Sequence, residues 1–299
     1  MEKLYQQLME MNIGIVKKAE PLANHTTMKI GGPAAILVEP SSLDHLLLTV
    51  KMITQAEIPY RVIGRGSNLL VNDEGFSGII VKLAKGMDDL HIENNEIHVG
   101  AGHSLVQLAS IAGKHGLTGL EFAAGIPGSV GGAVYMNAGA HGSDMSKIIQ
   151  KVHVLFPNGE TEWLSVQEMQ YSYRTSILQK SRPGIVLECV LLLAPGNAEE
   201  ISKVIQENKQ YRQNTQPYNK PCAGSAFRNP LPKYAGQLVQ ELGLKGYRIG
   251  GAEVSEMHGN FIVNADHATA SDVHQLIAYI QEQVRKVYGI ELETEVELL

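Results

Sequence analysis

The chain has 299 residues, 44% hydrophobic and 19% charged, with a formal net charge of −6. That is the balance of a globular protein with a large buried core and two or three domains, and its scattered Lys and Arg exclude a general nucleic-acid binder. No apolar run approaches the roughly 18 residues of a membrane helix. The polar N-terminus is unlike a secretory signal, and two distant cysteines, Cys189 and Cys222, exclude a disulfide framework, so a reducing, cytoplasmic setting is expected.

In chain order, residues 36–39 read as a strand, and Ser41 or Ser42 caps a helix with Leu43, Leu46, Leu47, Val50 and Ile53 on one face. Residues 60–63 form a strand that runs straight into the Gly-rich turn 64–71. Residues 78–81 and 97–99 are short strands. Ser104 caps a helix through Leu105, Leu108 and Ala112, which Gly116 ends. A long Gly-rich loop spans 125–140. Residues 151–156 and 160–164, joined by Pro157-Asn158-Gly159, predict a hairpin, and Ser165 with Glu168 has capping-box spacing. The apolar run 184–193 suits a central strand. Asn197 with Glu200 opens a helix expected to face Ile201, Val204 and Ile205 inward. Residues 211–234 read as loop, with a domain boundary near 200–210. Beyond lie a short helix ending at Gly243, a strand at 260–264, and a helix carrying Val273, Leu276, Ile277, Ile280, Val284 and Val287 in one stripe, stopped by Gly289. Residues 291–298 alternate acidic and apolar as a closing strand.

The stretch Gly125-Ile126-Pro127-Gly128-Ser129-Val-Gly131-Gly132-Ala-Val-Tyr-Met-Asn137-Ala-Gly139 holds five glycines. Glycine permits φ > 0 and lets backbone press against a ligand, and successive bare N–H groups suit a pyrophosphate. Gly64-Arg65-Gly66-Ser67-Asn68-Leu69 begins like a dinucleotide-binding G-x-G-x-x-G but lacks the third glycine. Either segment alone reads equally as a tight turn. Together they favour a phosphate-bearing cofactor, and a flavin dinucleotide suits an α+β domain without that fingerprint. Arg174, in Tyr171-Ser-Tyr173-Arg174, either covers an apolar patch or is held rigid and aimed at a carboxylate. Ser225, after Cys222-Ala-Gly224, is a turn serine or a hydroxyl set against a ligand; the absence of G-x-S-x-G argues against a hydrolase nucleophile. Periodicity does not single out one of Glu291, Glu293, Glu295 and Glu297. The histidines lack metal-ligand spacing and no metal is expected; His258, in a polar loop before a strand, is a binding candidate.

In order, Asn24-His-Thr-Thr-Met-Lys-Ile-Gly-Gly32, residues 64–71 and 125–140, Tyr173-Arg174-Thr-Ser176, Gly224-Ser-Ala-Phe-Arg-Asn-Pro230, Gly246-Tyr-Arg-Ile-Gly-Gly-Ala252 and Leu292-Glu-Thr-Glu-Val296 resemble the UDP-N-acetylenolpyruvoylglucosamine reductase (UDP-N-acetylmuramate dehydrogenase) family of peptidoglycan precursor synthesis. The short stretch from Arg174 to Ser225 is similar to the type lacking a tyrosine-bearing extra loop. The resemblance implies an α+β fold. An FAD domain of the vanillyl-alcohol-oxidase (PCMH) type would cover 1–205, in lobes of about 1–83 and 84–205, completed by strand 289–299. A smaller α+β substrate domain would cover 206–288.

It further implies non-covalent FAD, held by Gly64, Arg65, Gly66, Ser67, Asn68 and Leu69 and by Gly125, Ile126, Pro127, Gly128, Ser129, Gly131, Gly132, Asn137 and Gly139, with NADPH as reductant. The implied substrate is UDP-N-acetylglucosamine enolpyruvate, with Tyr173, Arg212, Gly224, Arg228, Asn229 and His258 as contacts; Arg212 and Arg228 suit the diphosphate by charge. Hydride would pass from the flavin to C3, Arg174 and Glu295 would hold the carboxylate, and Ser225 would protonate C2. A cytoplasmic monomer with no metal, nucleic-acid or membrane partner is expected, serving cell-wall growth, cell shape and division. Two other readings stay open: an FAD oxidase or dehydrogenase of this fold with another small substrate, and a non-catalytic nucleotide-binding module.

Overall fold

The computed structural model describes residues Met1–Leu299. They form two compact units, each discontinuous in sequence: 1–18, 36–65 and 78–211 make the first, and 19–35, 66–77 and 212–299 the second.

The helices of the first unit are α1 (Glu2–Glu10), α2 (Leu43–Gln55), α3 (Leu105–Lys114), α4 (Val130–Met136) and α5 (Ala198–Thr215), the last running on past Tyr211. α2 starts where expected, because Ser42 Oγ accepts the His45 N–H at 3.2 Å, and it buries Leu46, Val50 and Ile53. A four-stranded sheet has the order Gly14–Pro21, Pro33–Pro40, Phe76–Lys82, Tyr60–Ile63. Ile79, Ile80 and Val81 are consecutive and all buried, as a strand covered on both faces requires. A second, antiparallel sheet has the order Thr161–Ser165, Ile149–Leu155, Ile185–Leu192, Glu96–Gly100, Leu90–Glu93. The expected hairpin is there, with Leu155 opposite Thr161, and the apolar run forms the central strand.

Several local expectations are corrected. Ser165 and Glu168 exchange the bonds of a capping box, at 2.8 and 3.3 Å, but a turn follows rather than a helix. Val204 is 41% exposed, while Ile201 and Ile205 are buried against α3, where a Cβ on Gly113 would come within 2.9 Å of Ile205 Cδ1. The buried face of α5 is therefore one narrow ridge. Residues 211–215, expected as loop, continue α5, and the two units divide inside that helix.

The second unit has a four-stranded antiparallel sheet, in the order Cys222–Ser225, Phe261–Asn264, Ala252–Val254, Arg248–Ile249, with helices α6 (Ala235–Glu241) and α7 (Ala270–Tyr288). Thr269 and Asp272 form a reciprocal capping box on α7, and the Asp73 carboxylate accepts the Ala270 and Ser271 N–H groups at 2.7 and 3.0 Å. Gly289, at φ +66°, ends the helix. The apolar stripe of α7 stops at Val284; Val287 is 60% exposed. The closing strand is broken. Only Glu297–Leu298 pairs regularly, parallel to Leu69–Leu70, and Leu298 is exposed while Leu292 and Val296 are buried. No helix is long and apolar enough to cross a membrane.

Candidate active site

In the first unit the long Gly-rich segment is not one loop. It contains α4, capped by Ser129 Oγ accepting the Gly132 N–H at 3.3 Å and ended by Asn137 in the left-handed region at φ +46°. None of its five glycines has a positive φ. Their lack of a Cβ matters for close approach instead. A Cβ on Gly131 would lie 2.7 Å from Ala101 Cβ, and one on Gly139 would lie 2.6 Å from the Ser143 carbonyl. The two glycine segments meet, since a Cβ on Gly64 would fall 2.1 Å from Ser129 Oγ. The expected row of bare N–H groups is also corrected. Val130 and Gly131 donate to the His103 and Ala101 carbonyls at 2.9 and 2.8 Å, and Gly132 to Ser129. The surface here is largely side-chain-free backbone: Gly132 is exposed, Gly64 and Gly128 are half-buried, and Arg65, Pro127 and the half-buried Ile126 flank them, with Gly125 buried.

Ser172 and Thr175 exchange backbone bonds at 3.0 and 3.1 Å, which places Tyr173 and Arg174 at the tip of a tight turn. Arg174 has φ +54°, an uncommon conformation for a bulky residue. Its Nη2 donates to the Gly139 carbonyl at 2.7 Å, and its guanidinium carbon sits 5.1 Å from the centre of the exposed Tyr173 ring. This is an arginine held at both its backbone and its head group.

In the second unit Gly66 is left-handed, at φ +65°, and a Cβ there would strike the His25 carbonyl at 2.0 Å. The half-buried Ser67 and Leu69 flank Asn68, whose Nδ2 donates to the Glu295 carbonyl at 2.9 Å. Ser225 follows a β-bulge: Cys222 pairs with Val263 and Ser225 with Phe261, so one strand advances three residues against two. Gly224 takes the strain at φ +76°, in open space. Bulges of this kind re-aim a side chain. The Glu295 N–H donates to the Ala226 carbonyl at 2.8 Å, which sets Glu295 beside the Ser225 segment. It is half-buried, whereas Glu291, Glu293 and Glu297 are exposed.

The other substrate candidates are partly committed. Asn229 Oδ1 accepts the Ala235 N–H at 3.0 Å at the start of α6, and Arg212 Nε donates to Gln216 Oε1 at 3.0 Å. The Arg228 N–H donates to the Glu293 carbonyl at 2.9 Å. His258 Nδ1 accepts the Asn260 N–H at 3.1 Å, and burial, aided by Lys245, pushes its pKa down. Two supporting residues were not found from the sequence. Asn260 is buried and bonds both the N–H and the carbonyl of Phe227, at 3.0 and 2.8 Å. Thr27 Oγ1 donates to the Cys222 carbonyl at 2.7 Å. Both work across long sequence separations, which periodicity does not register.

Two family models match the chain: the C-terminal domain of UDP-N-acetylenolpyruvoylglucosamine reductase over residues 216–299, and an FAD binding domain over residues 34–165, which spans both glycine segments. Relatives with the name UDP-N-acetylenolpyruvoylglucosamine reductase are 58% identical in Bacillus subtilis and 56% identical in Anoxybacillus flavithermus, over 100% of this chain and 99% of each relative. The chain belongs to the UDP-N-acetylenolpyruvoylglucosamine reductase family. The crystal structure of that reductase from Thermus caldophilus is 38% identical, covers 95% of this chain and 98% of its own, and superposes with a TM-score of 0.81. A structure of alkyldihydroxyacetonephosphate synthase, 16% identical with a TM-score of 0.50 over 65% of this chain and 44% of its own, shares the fold alone. The fold is thus α+β with an FAD-binding domain of the vanillyl-alcohol-oxidase type, and the chain is a flavin-dependent oxidoreductase.

Proposed function

We propose that this enzyme reduces UDP-N-acetylglucosamine enolpyruvate to UDP-N-acetylmuramate at the expense of NADPH, in peptidoglycan precursor synthesis. The observation that carries the reading is the bulge-mounted Ser225 set beside the one half-buried glutamate of the closing segment, Glu295, in a chain whose relatives match over its whole length. FAD, when bound non-covalently, would supply the hydride carrier between NADPH and C3 of the enolpyruvyl group. The bare backbone of Gly64, Gly128 and Gly132 and the Arg65 guanidinium fit such a group, and Gly66, Ser67 and Asn68 extend the same chain segment.

Reduction at C3 leaves negative charge at C2, spread into the neighbouring carboxylate. Such charge is best met by donors fixed in advance. Arg174, immobilised by Gly139 and Tyr173, offers a planar fork that matches a carboxylate. Glu295, beside the Ser225 segment, is the second side chain assigned to that carboxylate, and only an acid form of it would add an O–H donor. The Ser225 hydroxyl gives its proton to C2, which a weak acid can do when its target is strongly basic and the geometry is set. Arg212 and Arg228 suit the diphosphate. The free cysteines Cys189 and Cys222 accord with a cytoplasmic setting.

The test is spectroscopic. The purified protein should be yellow, bleach anaerobically with NADPH, and recolour when the enolpyruvyl sugar nucleotide is added. Recolouring by oxygen alone would support the oxidase reading, and a colourless protein from flavin-replete cells the non-catalytic one.

A further inference from the structure

Asn137 is 3% exposed and both ends of its amide are taken by the protein. Nδ2 donates to the Ser172 carbonyl at 3.0 Å, and Oδ1 accepts the Ser146 N–H at 3.0 Å. Those partners fix the orientation of the amide, since a carbonyl only accepts and an N–H only donates. The Ser172 carbonyl also accepts the Thr175 N–H at 3.1 Å, the bond that closes the turn bearing Arg174. Two residues beyond Asn137, the Gly139 carbonyl takes the Arg174 guanidinium at 2.7 Å. The turn is further tied down by Ser176 Oγ and Gln179 Nε2, which donate to the Tyr135 carbonyl at 2.6 and 2.8 Å.

We propose that Asn137 is a positioning residue for Arg174 rather than a cofactor contact. The segment 137–139 holds both ends of Arg174: the Asn137 amide fixes the backbone of its turn, and Gly139 fixes its head group. The left-handed φ of Arg174 persists only while such anchors over-determine it. The inference rests on the role given to Arg174 under the proposed function.

Asn137→Asp tests it in the holoenzyme. Aspartate keeps the size, tolerates the left-handed backbone and, as the carboxylate, still accepts from Ser146 but has no donor for Ser172. Expected are FAD affinity and NADPH bleaching within about 2-fold of the parent, and recolouring by the enolpyruvyl sugar nucleotide slowed about 10- to 100-fold, the cost of a small misplacement. In an Arg174→Ala background the same substitution should slow recolouring no further. Asn137→Gly, which keeps the left-handed cap and deletes the amide, serves if the aspartate variant does not fold. Lost FAD affinity, or an equal slowing on top of Arg174→Ala, overturns the positioning role alone. Parent-rate recolouring by Arg174→Ala overturns the role of Arg174 and this inference with it.

Discussion

Gly132→Ala separates folding from cofactor binding. Gly132 is the third residue of α4, exposed, and not left-handed; an added Cβ meets nothing nearer than Ser129 Oγ at 3.4 Å, an ordinary contact. Alanine there lowers the entropy of the unfolded chain and favours the helix, a gain of about 0.5–1 kcal/mol. For a protein of this size that raises the melting temperature of the FAD-free protein by about 1–4 °C. If the bare backbone of Gly132 faces FAD, the same methyl overpacks that contact by about 1–3 kcal/mol and weakens FAD binding about 5- to 150-fold. Calorimetry of the stripped protein and a fluorescence titration with FAD measure the two effects separately. Gly131→Ala is the control: its Cβ would meet Ala101 Cβ at 2.7 Å and the Ala101 carbonyl at 3.1 Å, so it should destabilise the stripped protein. A stabilised Gly132→Ala protein that binds FAD like the parent refutes the assignment of this backbone to the cofactor. A destabilised one refutes the packing argument.

Ser225→Ala should leave bleaching by NADPH intact and slow recolouring by the enolpyruvyl substrate about 10²- to 10⁴-fold, the usual cost of losing a general acid; stopped-flow absorbance decides, and equal loss in both half-reactions counts against the assignment. Burial alone would raise the Glu253 carboxyl, but its bonds to Lys220 and Arg248 outweigh that and hold it below its ordinary value of 4.5. Its stabilisation is therefore complete above about that pH and lost as the pH falls through the lower folded value. Glu253→Gln should cost about 1–3 kcal/mol at neutral pH, less than for a sealed pair because both cations are partly exposed, and should flatten the acid limb of a urea-stability profile. His258, held below its ordinary 6.5 by burial and by Lys245, takes up its proton later in the folded state than in the unfolded chain. Stability should fall as the pH drops below about that value, and His258→Gln should remove that slope from the same profile.

Helices with local signals were the most legible elements. Ser42 starts α2 through a bond to the residue three positions on, so the sequence around it carries the cause; Thr269 caps α7 in the same local way, but the distant Asp73 also holds the first turn of that helix. Where α5 and α7 stop being buried is decided by what lies opposite. The stripe that includes Val204 and Val287 continues in the sequence beyond the surface that covers it, and both side chains meet solvent. The glycine segments show the same division. Composition marks glycine, but does not say whether φ, a neighbour or neither excludes a Cβ. Here the neighbours are Ala101 for Gly131 and Ser129 for Gly64, and those pairings exist only after folding.

Glu295 shows why periodicity alone could not complete the site. An unbroken amphipathic strand over 291–298 would leave four equivalent glutamates in water. The chain instead forms one bridge, Thr294 to Phe227, ties the Glu295 N–H to Ala226, and only then leaves to pair with Leu69–Leu70. The break draws one carboxyl partly out of solvent at the place where the Gly224 bulge turns Ser225. Two departures from regular pairing, far apart in the sequence, thus put Glu295 and Ser225 on neighbouring backbone.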